Sequence, residues 1–366
     1  MLEHDLPTPC LVLDGELVRQ NVQRLAAYAA SHGISVRPHT KTHKSVELAR
    51  LQLAAGAGGL TVAKVGEAYA MASAFDVRPA DIFMAYPAVD RHRTTRLAEL
   101  ARSASVQVAV DTEASLCAIG EAALAAGTTI GLLVDLDVGM GRTGVPTGQA
   151  LVDLAHCVER TGGVRLDGIF FYPGQIWSLP QDQAVALATV ASKLQEAIDL
   201  FDRHGLCRTR VSGGSTPTAY QSHLVPQTTE IRPGTYIYND MNTVRAGFCT
   251  LEQCAATIVC TVVSNAVSNQ IVLDGGSKTL TSDRCVPAPE SGHGHIVEYP
   301  DATITKLSEE HGQVDVSRCQ RRPHVGERVR VIPNHICPCI NLQDAVWWRE
   351  SGGIRRVTID ARGELS

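Results

Sequence analysis

The feature that most limits this chain is an alternation. Between residues 34 and 232, short runs of branched and small apolar residues recur at 34–37, 58–62, 81–85, 105–111, 129–137, 164–171, 208–212 and 228–232. Amphipathic stretches of helical period lie between them, at 45–55, 64–75, 90–103, 112–126, 147–161 and 181–205. A strand buried on both faces followed by a helix buried on one predicts a parallel sheet with crossover helices. The seventh connection, 213–227, is short and weakly helical at best. Eight strands and seven connections, with a helix over 15–32 ahead of the first strand, are the count of a (β/α)8 barrel of the TIM type. An open doubly wound sheet is the rival from the same pattern. The period carries no repeated sequence, so the chain is not a solenoid.

After about residue 245 the texture changes. Runs at 255–264, 269–274, 325–332 and 354–359 are β-rich, with Gly275-Gly276, Pro287–Gly294 and Pro323 as punctuation and no helix of any length. This predicts two parts: a barrel over 15–245 and a smaller all-β domain over 246–366. The strand-like Cys10-Leu11-Val12-Leu13-Asp14 fits either part. A chain of 366 residues with 44% hydrophobic content supports cores of that size. Net charge is −5 with no basic stripe, which argues against nucleic acid. No run approaches the roughly 18 apolar residues of a membrane span. The start, MLEHDLPTPC, lacks the pattern of a signal peptide, so the expected location is cytoplasmic. The 11 cysteines are scattered, and only the pair in His335-Ile336-Cys337-Pro338-Cys339 has metal-like spacing.

In a barrel, residues just past the strand C-termini line the active face. After the first barrel strand comes Arg37-Pro38-His39-Thr40-Lys41-Thr42-His43-Lys44. A solvated basic loop is one reading. The sharper one makes Lys41 a nucleophile, its pKa lowered by the cations Arg37 and Lys44 and by partial burial. After the seventh strand, Ser212-Gly213-Gly214-Ser215-Thr216 offers backbone N–H groups and hydroxyls to a phosphate, or is an ordinary glycine turn. Tyr236 follows the eighth strand and could reach the same phosphate, with interface packing as its alternative. The fifth-strand loop, Asp137–Gly144, places Arg142 as a fixed fork of donors. Its Gly139-x-Gly141-x-x-Gly144 matches a dinucleotide fingerprint only formally, because it does not open the fold and no acidic residue closes the next strand. Tyr172 ends the sixth strand. A strand ending at His335-x-Cys337 would put both side chains on one face, where they suit a divalent metal, zinc above others, with positions left open. A buried cysteine beside a hydrogen-bonded histidine is the plainer reading.

Together these residues resemble the family of D-serine dehydratase, D-threo-3-hydroxyaspartate dehydratase and D-threonine aldolase, which are alanine-racemase-like (fold type III) pyridoxal-phosphate enzymes. The resemblance runs from LPTPCLVLD and RPHTKTHK through Gln52, Glu67-Ala68, DVGMGRTG, SGGSTPT and EIRPGTY to DGGSKTLTSD, Glu309-Glu310-His311-Gly312 and PNHIC. It implies that Lys41 forms the Schiff base with pyridoxal 5'-phosphate and takes the substrate's Cα proton. Arg142 and Tyr172 would stand at the cofactor ring, and Ser212, Gly213, Gly214, Ser215, Thr216 and Tyr236 at its phosphate. His39 is assigned to orienting the cofactor, and His335 with Cys337 to the metal. The resemblance also implies a homodimer whose active site is completed by the partner's β domain. A metal pair of His-x-Cys and Ala63 where the aldolases carry glutamine both lean toward a dehydratase acting on a D-β-hydroxy-amino acid such as D-serine or 3-hydroxyaspartate. Retro-aldol cleavage to glycine and an aldehyde, racemisation, and non-catalytic cofactor binding are the alternatives. Gln175 departs from relatives that carry histidine there.

Overall fold

The computed structural model describes residues 3–76 and 79–366, and counts below refer to these. By internal contacts the chain forms two compact units. One joins the residues up to Gln23 with Thr235–Arg362, and the other comprises Arg24–Gly234 with Gly363–Ser366. Strand β1 (Cys10–Asp14) leads into helix α1 (Gly15–Ser31), within which the first boundary falls.

The larger unit holds the alternation. Its strands are β2 (Ser35–Val36), β3 (Leu60–Val62), β4 (Asp81–Met84), β5 (Ser105–Val110), β6 (Ile130–Leu136), β7 (Val164–Phe171), β8 (Arg210–Gly213) and β9 (Glu230–Ile231). Helices α2 (Val46–Ala54), α3 (Val65–Ala72), α4 (Arg91–Leu100), α5 (Glu113–Ala125), α6 (Gln149–Arg160) and α7 (Ala184–Arg203) connect them. The seventh connection carries only a 3-10 turn, Ala219–Leu224, as its composition predicts. All strand pairs are parallel, in the order β2-β9-β8-β7-β6-β5-β4-β3. A bridge between His39 and Thr61, with Thr61 N–H donating to the Pro38 carbonyl at 2.9 Å, joins the two ends of that order. The barrel expectation therefore holds over the open sheet. Strands buried on both faces read as apolar runs, and β6 is buried along its whole length.

The barrel interior is not wholly apolar. Phe83, Ala109, Leu133 and Phe170 form one layer. At the starts of β4, β8 and β9, the buried Arg37 guanidinium donates to both oxygens of Glu230 (3.1 and 3.0 Å) and to Asp81 (2.9 and 3.2 Å). Burial alone would raise the Asp81 pKa, but the bonds from Arg37 and the charge of Arg210 hold it below the usual carboxylate range.

The smaller unit is an antiparallel sheet with one parallel pair. Its strands after β1 are β10 (Ala256–Ser264), β11 (Gln270–Leu273), β12 (His295–Ile296), β13 (Thr303–Leu307), β14 (Gly312–Asp315), β15 (Arg328–Ile332), β16 (Ala345–Glu350) and β17 (Gly353–Thr358). They run β13-β14-β11-β10-β1-β16-β17, with β15 beside β10 and β12. The leading strand, open in the sequence, belongs here: β1 pairs antiparallel with β10 and parallel with β16. Residues 15–23 and 235–245, read from sequence into the barrel, also lie in this unit. Three short helices occur where none was expected to be long: α8 (Met241–Arg245), α9 (Ser277–Leu280) and α10 (Ile336–Asn341). Strands β12, β13, β14 and β16 escape the sequence reading because they are short or mix polar with apolar residues. Among the described residues no helix is long and apolar enough to cross a membrane.

Candidate active site

Lys41 sits in a 3-10 turn, Thr40–Thr42, just past β2. The turn is fixed from several directions. Thr40 Oγ1 donates to the Thr61 carbonyl at 3.1 Å. His39 Nδ1 accepts the Lys41 backbone N–H at 3.5 Å. His43 is fully buried; its Nδ1 accepts the Ser45 N–H at 3.1 Å, which leaves Nε2–H to donate to Gln52 Oε1, also at 3.1 Å. Burial lowers the His43 pKa to about 4, so it stays neutral. His39 is likewise pushed well below the usual histidine value by burial and then by the charges of Lys41 and Arg232.

Arg37 and Lys44 do not act on Lys41 as their nearness in sequence suggests. Arg37 turns into the barrel, onto Glu230 and Asp81, and Lys44 is buried against Glu67 at 3.1 Å. Neither is an uncompensated cation beside Lys41. What distinguishes Lys41 is the reverse: it is exposed, and among the described residues no carboxylate pairs with its ammonium.

The glycine loop follows β8. A Cβ on Gly213 would stand 2.1 Å from the Phe171 ring, and Gly214 has φ +85, so both positions favour glycine. Ser215 and Thr216 are buried, and Ser215 Oγ lies 3.0 Å from Thr218 Oγ1. Ser212 differs from expectation. Its hydroxyl donates to Glu230 Oε1 at 2.7 Å and accepts from Arg232 Nε at 3.0 Å, so it is spent inside the barrel. Tyr236 is buried in the smaller unit, in the turn Thr235–Ile237.

After β6, Asp137 Oδ1 accepts the N–H groups of Gly139 (2.9 Å) and Gly141 (3.1 Å) and folds the loop back on itself. Arg142, on that loop, lies 4.7 Å from the centre of the Tyr172 ring. The structure thus brings these two predicted residues together. Below them is Asp135, which the sequence reading passed over. Burial raises its pKa to about 6, against the pull of the Thr143 hydroxyl and the Arg232 and Arg142 charges; the nearby Asp111 carboxylate adds to the rise. Its signal was a lone acid inside the run IGLLVDL.

In the smaller unit, His335 and Cys337 do not lie on a strand. β15 ends at Ile332, and His335 caps α10, with Cys337 in its first turn. The two are still adjacent: burial lowers the His335 pKa, but a hydrogen bond donated to Cys337, then the charges of Cys337 and Asp240 and the bond to Asp283, raise it to about 10. Asp283 meets His335 Nδ1 at 2.8 Å. That leaves Nε2 for the Cys337 side, and a carboxylate on the other ring nitrogen is the arrangement usual for a metal-binding histidine. Asp283, 52 positions away, closes the DGGSKTLTSD stretch, but nothing in the sequence tied it to His335. Among the described residues no group of three or more His, Cys, Asp or Glu donors stands in metal-holding geometry, so the donor set here is two.

Two family models match the chain: the alanine racemase N-terminal domain over residues 13–242 and a putative serine dehydratase domain over 255–348. A D-threonine aldolase from an Arthrobacter species is 30% identical over 97% of this chain and 93% of its own. The chain belongs to the alanine-racemase-like family of D-serine dehydratases, D-threo-3-hydroxyaspartate dehydratases and D-threonine aldolases. Both branches of the family are equally near in three dimensions. The crystal structure of D-threonine aldolase from Filomicrobium marinum superposes with a TM-score of 0.90 at 27% identity, over 100% of this chain and 99% of that one. A D-threo-3-hydroxyaspartate dehydratase, as an alanine-for-cysteine mutant in the metal-free form, gives 0.90 at 25% identity, covering 98% of each chain. Fold-type III members of this family use pyridoxal phosphate. The larger unit fits that group: a lysine free of carboxylates, a glycine turn with Ser215 and Thr216, and Arg142 stacked on Tyr172 all stand at strand C-termini.

Proposed function

We propose that this chain is a pyridoxal-phosphate- and metal-dependent lyase that eliminates water from a D-β-hydroxy-amino acid, releasing a keto acid and ammonia. The observation that carries the reading is Lys41, without a carboxylate partner among the described residues, on the C-terminal face of a barrel where the cations nearest it in sequence, Arg37 and Lys44, are neutralised. Gly213, Gly214, Ser215 and Thr216 would hold the cofactor phosphate, and Arg142 with Tyr172 would orient the ring. Pyridoxal phosphate supplies the electron sink that makes a Cα proton removable. Lys41 Nζ would hold the cofactor and would take that proton. His335 and Cys337 would hold a divalent metal, and their nitrogen and sulfur donors suit zinc; a metal there would supply Lewis-acid polarisation to a hydroxyl. Loss of the Cα proton and the β-hydroxyl as water leaves an enamine, which hydrolyses to the keto acid and ammonia. A homodimer is part of this reading.

Retro-aldol cleavage is the second reading, favoured by the likeness to the Arthrobacter aldolase over nearly the whole chain. Product analysis separates the two. Purified protein with pyridoxal phosphate is given D-serine, D-threonine and both D-3-hydroxyaspartate diastereomers, with and without chelator. Keto acid and ammonia, lost on chelation, are expected; glycine and an aldehyde as the main products would replace the first reading by the second. Lys41→Ala is expected to lose both turnover and the visible absorbance of lysine-bound cofactor. Full turnover by that variant would end both readings.

A further inference from the structure

Charge is not spread evenly around the barrel's C-terminal mouth. Beyond β5 and β6 stand Asp111 and Asp137, with Arg142, and Asp135 is the penultimate residue of β6 itself. Beyond β3 and β4 stand Lys64 and Arg93, with Glu67 in the first turn of α3 and Asp90 capping α4. Lys64 follows β3 and starts α3, and its Nζ lies 3.6 Å from the centre of the Tyr86 ring, which follows β4. Arg93 lies over the same ring at 5.9 Å, but Asp90 neutralises it at 2.6 Å. No carboxylate among the described residues pairs with Lys64.

Lys64 also stands one strand from Lys41. The Thr40 hydroxyl, next to Lys41, bonds the Thr61 carbonyl of β3, and the Ala85 N–H, next to Tyr86, bonds the Val62 carbonyl at 3.0 Å. Lys41, Lys64 and Tyr86 therefore leave three successive strands of the ring. The α3 N-terminus itself is closed to an anion. Glu67 Oε2 already accepts the Ala63 N–H at 2.7 Å and the Lys64 N–H at 3.3 Å. An anion arriving at β3 thus meets the ammonium, not the helix end. Tyr86, 39% exposed, holds that ammonium over its face without neutralising it.

We propose that Lys64, held by Tyr86, is a specificity residue that binds a second carboxylate on the substrate, so that this chain prefers β-hydroxy-amino dicarboxylic acids to D-serine and D-threonine. The inference rests on the lyase reading above. Lys41 and the phosphate loop are occupied by the cofactor in that reading, which leaves Lys64 as a further cation on this side of the mouth for a substrate carboxylate.

The test compares the holoenzyme with Lys64→Gln and Lys64→Arg, measuring kcat/KM for D-threo-3-hydroxyaspartate and for D-serine. Inhibition constants for D-aspartate and D-alanine, which lack the leaving hydroxyl, give a readout that needs no chemistry. A charge-assisted hydrogen bond corresponds to a loss of about 10–100-fold. Lys64→Gln is expected to lose that much on the dicarboxylate and in D-aspartate affinity, with D-serine and D-alanine little changed, and Lys64→Arg to recover part of it. Equal losses on all four compounds, or none, would overturn the inference while leaving the lyase reading standing. Absence of turnover of every substrate by the parent enzyme would instead overturn the lyase reading, and this inference with it.

Discussion

At the scale of single residues, the informative groups are those a barrel interior should reject. Asp135 lies inside an otherwise apolar strand, facing Asp111, Thr143, Arg142 and Arg232. Its pKa of about 6 in the fold exceeds the ordinary carboxylate value. The stability it contributes is complete below about pH 3.9, the unfolded value, and is lost as pH rises through about 6. The two values differ by enough to make that loss on the order of 3 kcal/mol. Asp135→Asn should therefore be more stable than the parent at pH 8 and gain little at pH 4. Urea unfolding of cofactor-free protein at both values checks this, and a difference independent of pH would refute it. The same scale shows what the sequence withheld. Lys41 was legible because it follows a strand in a strict period. The partners of Arg37 were not, since Glu230 lies 193 positions away and only barrel closure brings it there. The cation cluster read from neighbouring letters dissolves once Arg37 and Lys44 turn inward to carboxylates.

At the scale of elements, strand ends were well predicted and turns were not. Period 2 and period 3.6 name a strand or a helix, but they do not say where a hydroxyl points. Ser212 looked like a phosphate donor and is spent on Glu230 and Arg232 because it is still within β8. The His335-x-Cys337 pair was right in its adjacency and wrong in its cause: the chain leaves the strand at Ile332, and a helical first turn brings Cys337 beside the cap. Gly214 is the turn residue with the sharpest expectation. At φ +85 an alanine is strained by about 1–2 kcal/mol. Gly214→Ala should lose that stability and also bind pyridoxal phosphate more weakly, read by urea unfolding and by absorbance titration. Unchanged affinity would remove this turn from the cofactor site.

At the scale of the molecule, each compact unit is assembled from distant parts of the chain. The smaller one needs β1, whose residues Cys10–Leu13 pair with Ala256–Val259 on one side, while Val12–Asp14 pair with Trp347–Arg349 on the other. Deleting the residues up to Asp14 would bare two central strand edges. In that variant, 235–362 should become sensitive to limited proteolysis while 24–234 stays protected; an unchanged digestion pattern would show the strand to be dispensable. The position of β1 has another consequence, in the order of synthesis. The strand emerges from the ribosome before its partners, which follow only after most of the chain. At translation speeds of about 5–20 residues per second, that wait is on the order of tens of seconds. During it, CLVLD is an apolar segment without a neighbour, the kind of stretch a nascent-chain chaperone holds.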